Sequence, residues 1–278
     1  TRDNAILVQY LARLAAPLQT TNEDMRAAAS RIFNAAKLVE SIDAILDQQG
    51  HDPLTAAAGK IAIAHFICQG EAKSTLRPAP RNPGELPLQG TENWLYEMGR
   101  LVTSGVPRSQ AERCLDNVSV VSFCYDRSLE HFLPYAFTIA FGMNLEEAQA
   151  IVAARLEVLR PYGSIGRLPW QPGDGPDCEW GVEMPANINR LAGQIGTLAE
   201  LRQDARMQAA IGQAVTGAER LAVLGFGFDP GNVELLFSNP VQSNTELLLT
   251  LHGMAPAAQA ATLRQLKRKT GIDDERLI

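Results

Sequence analysis

The chain has 278 residues, of which 46% are apolar and 20% charged, with a formal net charge of −6. That length and apolar content suit one large α/β domain, or a domain with an elaborate insertion. No basic stripe stands out and no apolar run approaches the ~20 residues that span a bilayer, so neither nucleic acid nor membrane is expected as a partner.

The first hundred or so residues read as helical. Residues 3–18 place Ile6, Leu7, Tyr10, Leu11 and Leu14 on one face. Residues 23–50 are alanine-rich and amphipathic, and read as one helix stopping at Gly50. A third helix, 52–70, starts around Pro53, and its His65 reads as a packed core histidine. Residues 71–91 hold four prolines and read as a loop. Residues 92–105 make a further helix in which Trp94 and Tyr96 read as packing residues.

After residue 115 strands and helices alternate. Val118, Val120, Val121 and Phe123 form a short run suited to a buried strand, 118–123, followed by a helix over 126–141. Residues 144–156 are a helix capped by Asn144, and 156–162 a strand that runs into a glycine- and proline-rich loop, 163–176. Helix 204–218, strand 219–228, helix 229–237 and strand 245–251 follow. A last helix, 255–271, ends at Gly271 with Arg264 to Lys269 on its solvated face. The alternation predicts an α/β fold with a parallel sheet covered on both faces. Residues 1–115 are expected as a mainly helical subdomain integrated with an α/β domain over 116–278.

Cys68, Cys114, Cys124 and Cys178 form no CxxC pair, and His51, His65, His131 and His252 show no metal-ligand spacing. No metal is expected, and scattered thiols of this kind read as reduced and cytoplasmic.

Three strand-to-loop junctions fall where parallel sheets place ligands. The first is Cys124-Tyr125-Asp126. The second is Tyr162-Gly163-Ser164, with Trp170 beyond it. The third is Gly225-Phe226-Gly227, with Asn232 opening the next helix. Glycine after a strand lets a backbone approach a phosphate or ribose closely, although turns need glycine too. Asp126 either caps the helix and braces the turn or orients a ligand hydroxyl. Ser164 and Asn232 either bond a ribose or close their loops. Trp170 and Trp180 read as packing residues.

"VVSFCYDRSLEHFL" resembles the "TFNYDRSLE" segment of sirtuin-like domains, bacterial relatives of silent-information regulators that bind or hydrolyse NAD. "RPYGSIGRLPW" is similar to their "HGSLGxLPW" segment, "AERLAVLGFGFDPGNVELL" to their last strand, and "ESIDAIL" to their "SIDxFL" helix. The resemblance spans roughly residues 38–255. It implies a Rossmann-like sheet with a helical N-terminal insertion, NAD as cofactor and, in many members, NAD cleavage in antiphage defence. It also implies a cofactor-binding set of Tyr125, Asp126, Gly163, Ser164, Gly225, Phe226, Gly227 and Asn232. Cys124 stands at the family's asparagine and Tyr162 at its histidine, the two positions expected to be catalytic. The family's glycine-rich "GAGAS" pyrophosphate loop does not occur in residues 1–278, and a segment carrying it would lie upstream of Thr1.

Cleaving the nicotinamide–ribose bond builds positive charge on the ribose and needs a positioned acceptor and a base that works near neutral pH. A carboxamide offers a donor and an acceptor in fixed geometry, whereas a thiol offers weak versions of each. A neutral imidazole takes a proton at pH 7, whereas a phenol with a reference pKa of ~10 already holds one. Losing one such group commonly costs ~10²–10⁴-fold in rate. Cys124 is therefore expected as a small buried thiol filling the vacated asparagine position rather than as a nucleophile. The first expectation is a sirtuin-like domain without its usual catalysis that keeps a nucleotide crevice as a sensor, inhibitor or assembly module. A working NAD glycohydrolase with altered residues and a structural interaction domain without nucleotide are the alternatives. The expected partners are a nucleotide, a second copy or another protein.

Overall fold

A computed structural model of the protein describes residues 2–39, 41–77, 93–201 and 203–273. The chain divides into two units, Thr1–Ala199 and Glu200–Ile278. The first contains α1 (Arg2–Ala15), α2 (Asn22–Ala35), α3 (Ile42–Gln49), α4 (Pro53–Lys73) and α5 (Trp94–Thr103). A 3₁₀ turn (Arg108–Arg113) leads to β1 (Ser119–Val121), α6 (Ser128–Phe141), α7 (Leu145–Arg155), β2 (Glu157–Leu159) and α8 (Ile188–Ala192). A single helical turn, α9 (Leu198–Leu201), falls at the division. The second unit holds α10 (Ala205–Thr216), β3 (Arg220–Val223), α11 (Pro230–Leu236), β4 (Glu246–Leu249) and α12 (Pro256–Thr270).

Side-chain caps set the helix starts. The Thr21 hydroxyl accepts from the Asp24 N–H while the Asp24 carboxylate accepts from the Thr21 N–H, a reciprocal box that opens α2. Asp52 accepts from the N–H groups of Leu54 and Thr55, with Pro53 at the first position of α4. The run expected as one helix over 23–50 is two. Ser41 is extended and its hydroxyl accepts from the Ala44 N–H, which starts α3 afresh after α2 has closed at Ala36. A competing cap inside a periodic run outweighs the periodicity.

The long helix α4 is the hub of the first unit, with α1, α2, α3 and α8 packed on it. It buries Ala58, Ile61, Ile63, Ala64 and Cys68, together with Thr55, His65, Gln69 and Glu71. Gly59 lets α3 come close, since a Cβ there would lie 2.5 Å from Leu46 Cδ2. His65 is fully buried, with the rings of Tyr10 and Phe66 at 5.7 and 5.2 Å, and is a core residue as expected. Of the loop expected over 71–91, residues 71–73 complete α4, and 78–91 lie outside the described residues. In α5 it is Leu95 and Gly99 that face the core, Gly99 against Phe132; Trp94 is 48% exposed and does not pack as expected.

β1 and β2 pair in parallel, Ser119 opposite Glu157 through Val121 opposite Leu159. β3 and β4 pair in parallel in the second unit, Arg220 opposite Glu246 through Val223 opposite Leu249. The mixed α/β class and the parallel pairing are as expected. A single sheet through all the strands is not: among the described residues there are two separate two-stranded pairs. β1 is half-buried rather than fully buried, because a two-stranded ribbon cannot cover both of its faces. Within the first unit α6 packs on α5 and Arg127 pairs with Glu71 of α4, which ties the segment after residue 115 to the helices before it.

In the second unit Asp204 caps α10, and α12 buries Thr262, Leu266 and Thr270 while Arg264 and Arg268 face solvent. The αL residue Gly271 ends α12, with its N–H donating to the Lys267 carbonyl. No helix among the described residues is long and apolar enough to cross a membrane.

Candidate functional site at the β1–β2 edge

Because β1 and β2 run parallel, both carboxyl ends open at one edge. The Ser122 N–H donates to the Leu159 carbonyl at 2.9 Å, the last rung before the strands part. Beyond it the two loops stay joined. The Ile165 N–H donates to the Tyr125 carbonyl at 3.3 Å, and Arg160 Nη1 donates to the Cys124 carbonyl at 2.7 Å. The buried Tyr162 ring lies 6.0 Å from Phe123 and 6.4 Å from Tyr125, the residues on either side of Cys124. Cys124, Tyr125, Asp126, Tyr162, Gly163 and Ser164 are thus brought to one place.

What each side chain does there is largely internal. The Tyr125 hydroxyl donates to Asp43 Oδ1 at 2.5 Å; burial, then that bond, raises the phenol above its ordinary value. Asp126 Oδ1 accepts from the Ser128 N–H at 2.9 Å and braces the turn into α6. Burial works against its charge, but hydrogen bonds from Cys124 and Ser128 hold the carboxyl below its ordinary value. Ser164 Oγ donates to the Gly166 carbonyl at 3.2 Å and closes its loop. Gly163 has φ +74°, and a Cβ on it would lie 2.0 Å from the Gln194 carbonyl oxygen; the glycine accommodates the strand-like bridge to Ile195.

Cys124 is exposed, which corrects the buried thiol expected. The strand ends three residues earlier, so the turn carries the side chain out to the rim. The protein packed against its inner side, and then the Asp126 carboxylate, push the thiol up to about 11. At pH 7.5 we expect iodoacetamide to modify Cys124 about 100-fold more slowly than an ordinary surface thiol. Mass spectrometry of the time course in a Cys114→Ser background measures this, and reaction at the ordinary rate would contradict the shift.

Five charged residues that frame the edge are not among the expected site residues, although four of them, Asp43, Arg127, Glu130 and Arg160, stand inside the segments that carry the resemblance. Glu71 Oε2 accepts from Arg127 Nη2 at 2.6 Å, with side chains only 2% and 1% exposed, and Arg127 Nη1 also donates to the Cys178 carbonyl at 2.5 Å. Glu130 takes both Nη2–H···O contacts of Arg160, at 2.7 and 2.8 Å. Asp43 holds Tyr125. The signal that could have found two of them is Arg127 and Glu130 themselves, charges set inside the apolar run 118–141. Beside the edge lies a cavity of about 280 Å³ lined by Glu130, Val158, Arg160, Ser164, Gly166 and Arg167. Its arginines are engaged: Arg160 with Glu130 and the Cys124 carbonyl, Arg167 with Asp177 and the Gly175 and Gln171 carbonyls.

Trp180 stacks face to face on His131, centroids 4.0 Å apart, and Trp170 packs on the same core, so both act as packing residues. The buried His131 Nε2–H donates to the Leu76 carbonyl at 3.1 Å. Burial lowers its pKa to about 4 despite that bond. The unfolded imidazole takes up a proton first as pH falls. Stability from this group is therefore complete above about pH 6.5 and lost between there and about pH 4, up to about 3 kcal/mol. Unfolding midpoints of the wild type and His131→Gln, followed from pH 7 to pH 4, should converge on acidification.

The third junction belongs to the second unit. Gly225 has φ +59° and its N–H donates to Thr250 Oγ1 at 2.9 Å. Phe226 and Phe228 meet edge to face at 5.1 Å, Gly227 lies between them, and Asp229 accepts from the N–H groups of Gly231 and Asn232 to start α11. Among the described residues no group of three or more His, Cys, Asp or Glu side chains is arranged to hold a metal ion. No family model, no curated protein and no solved structure matches this chain.

Proposed function

We propose that the β1–β2 edge belongs to a sirtuin-like, Rossmann-related domain that binds NAD or a related nucleotide without cleaving it, and serves as a sensor or assembly module. The observation that carries the reading is the meeting of Cys124 and Tyr162 at one sheet edge. The resemblance calls for an asparagine and a histidine side by side there. A thiol held protonated to about pH 11 and a buried phenol supply neither the fixed donor–acceptor pair nor the neutral-pH base of glycosidic cleavage. Nucleotide groups would meet the rim at Cys124 and at the cavity lined by Ser164, whose 280 Å³ is small for a whole dinucleotide and suits one end of it.

A second reading, an interaction domain with no nucleotide, draws support from the motif's polar groups. Tyr125, Asp126, Arg127 and Glu130 all bond within the protein. Calorimetry with NAD, ADP-ribose and nicotinamide mononucleotide separates the two. Heat of binding with at least one, and no turnover of a fluorescent NAD analogue, is the expected result. Silence with all three would leave the second reading, and turnover by the wild-type chain would remove the non-cleaving one. The pair Cys124→Asn with Tyr162→His should gain measurable turnover if the rest of the crevice is intact.

A further inference from the structure

Two buried thiols lie outside the candidate site. Cys68, on the buried face of α4, and Cys178, on the loop between β2 and α8, bring their thiols within interaction range of each other, and the Cys178 S–H donates to the Glu179 carbonyl at 3.4 Å. They are 1% and 6% exposed. The loop is held on the last turns of α4: Arg127 Nη1 donates to the Cys178 carbonyl, and Gly181 passes against Ala72 and the Glu71 carbonyl. The neighbours Asp177 and Glu179 face solvent, so Cys178 lies one residue inside the surface.

The neighbouring Cys68 thiol, then the Arg127 guanidinium, lowers the Cys178 thiol, while burial and the Glu71 carboxylate oppose them. Cys68 is raised by Cys178 and by burial. Cys178 sits on a loop one residue inside the surface and Cys68 behind it on the buried face of α4, so an oxidant entering from solvent meets Cys178 first and Cys68 is placed to resolve it.

We propose that Cys68 and Cys178 are a peroxide-oxidisable pair that forms a disulfide between α4 and the 160–187 loop. The Cys178 thiolate attacks one oxygen of hydrogen peroxide; the O–O bond breaks and, with a proton, one water leaves, giving the sulfenic acid. The Cys68 sulfur then attacks Cys178 Sγ, the S–O bond breaks, and the Cys68 proton leaves with the hydroxyl as a second water. Two thiols lose two electrons and peroxide gains them; a small-molecule dithiol reverses the step. This does not depend on the nucleotide reading, and both sulfurs are buried whereas the rim thiol Cys124 is exposed.

The test is peptide mapping of the native chain after hydrogen peroxide treatment and alkylation of remaining thiols. Trypsin places Cys68 in 61–73, Cys178 in 168–190, and Cys114 with Cys124 in 114–127, so the pairing is unambiguous. The expected product is 61–73 joined to 168–190, with 114–127 still alkylated, lost on dithiothreitol treatment and much reduced when the peroxide is added to urea-unfolded chain. Recovery of 168–190 as sulfinic or sulfonic acid without the cross-link, linkage to 114–127, or full alkylation of all four thiols would each overturn the proposal.

Discussion

Replacing Glu71 with alanine is expected to destabilise the first unit by about 3–5 kcal/mol, the usual consequence of leaving one member of a buried ion pair without its partner. The Arg127 guanidinium is 1% exposed and cannot turn to water. Its Nε and Nη2 both donate to Glu71, as does its backbone N–H at 3.1 Å, so the substitution also strips the entrance of α6. The carbonyls of Cys178 and Arg167 remain as acceptors but carry no full charge. In thermal unfolding the loss should read as roughly 10 °C. Replacing both partners, Glu71→Leu with Arg127→Met, should recover most of it, because no charge is then stranded. A single-variant loss below about 1 kcal/mol would mean that the pair is hydrated and not buried.

The second large effect is expected from Gly163→Ala. The left-handed backbone there costs a non-glycine residue about 1–2 kcal/mol, and the new methyl meets the Gln194 carbonyl, adding about 1–3 kcal/mol of overpacking. Gly225→Ala is the internal control. Its φ is also positive, at +59°, but nothing lies within 4 Å of the added Cβ, so only the backbone cost applies. Urea titration of both variants distinguishes them. If Gly163→Ala is as mild as Gly225→Ala, the 163–195 bridge is loose, and the glycine's conservation of space would have to be for a ligand instead.

How far the sequence reaches depends on the range of the interaction. Asn144 capping α7 and Gly271 ending α12 are local chemistry, and both stand where the residues placed them. The meeting of Cys124 and Tyr162 was legible because parallel strands must end on one edge. The break at Ser41 was not, since hydroxyl capping competes with periodicity by a margin that composition does not reveal. Neither the 3₁₀ turn at Arg108–Arg113 nor α8 carries a periodic signal, being too short for one. The partners of the motif were hidden for a different reason. Tyr125 bonds a residue 82 positions away and Arg127 one 56 positions away, and no local pattern announces such distances. Cys124 was misjudged because a short strand ends before it, and strand length is decided by what packs on the turn beyond.

The reach of those contacts bears on how this chain can be cut and recombined. A fragment beginning at residue 116 would keep the whole quoted motif yet leave behind Asp43 and Glu71, the acceptors for its tyrosine and arginine. A piece that retains both acceptors together with the helices packed on α4 is the whole first unit, to the division at Ala199. Shuffling or gene fusion that severs it would pass on the signature and lose the architecture that gives the signature its shape.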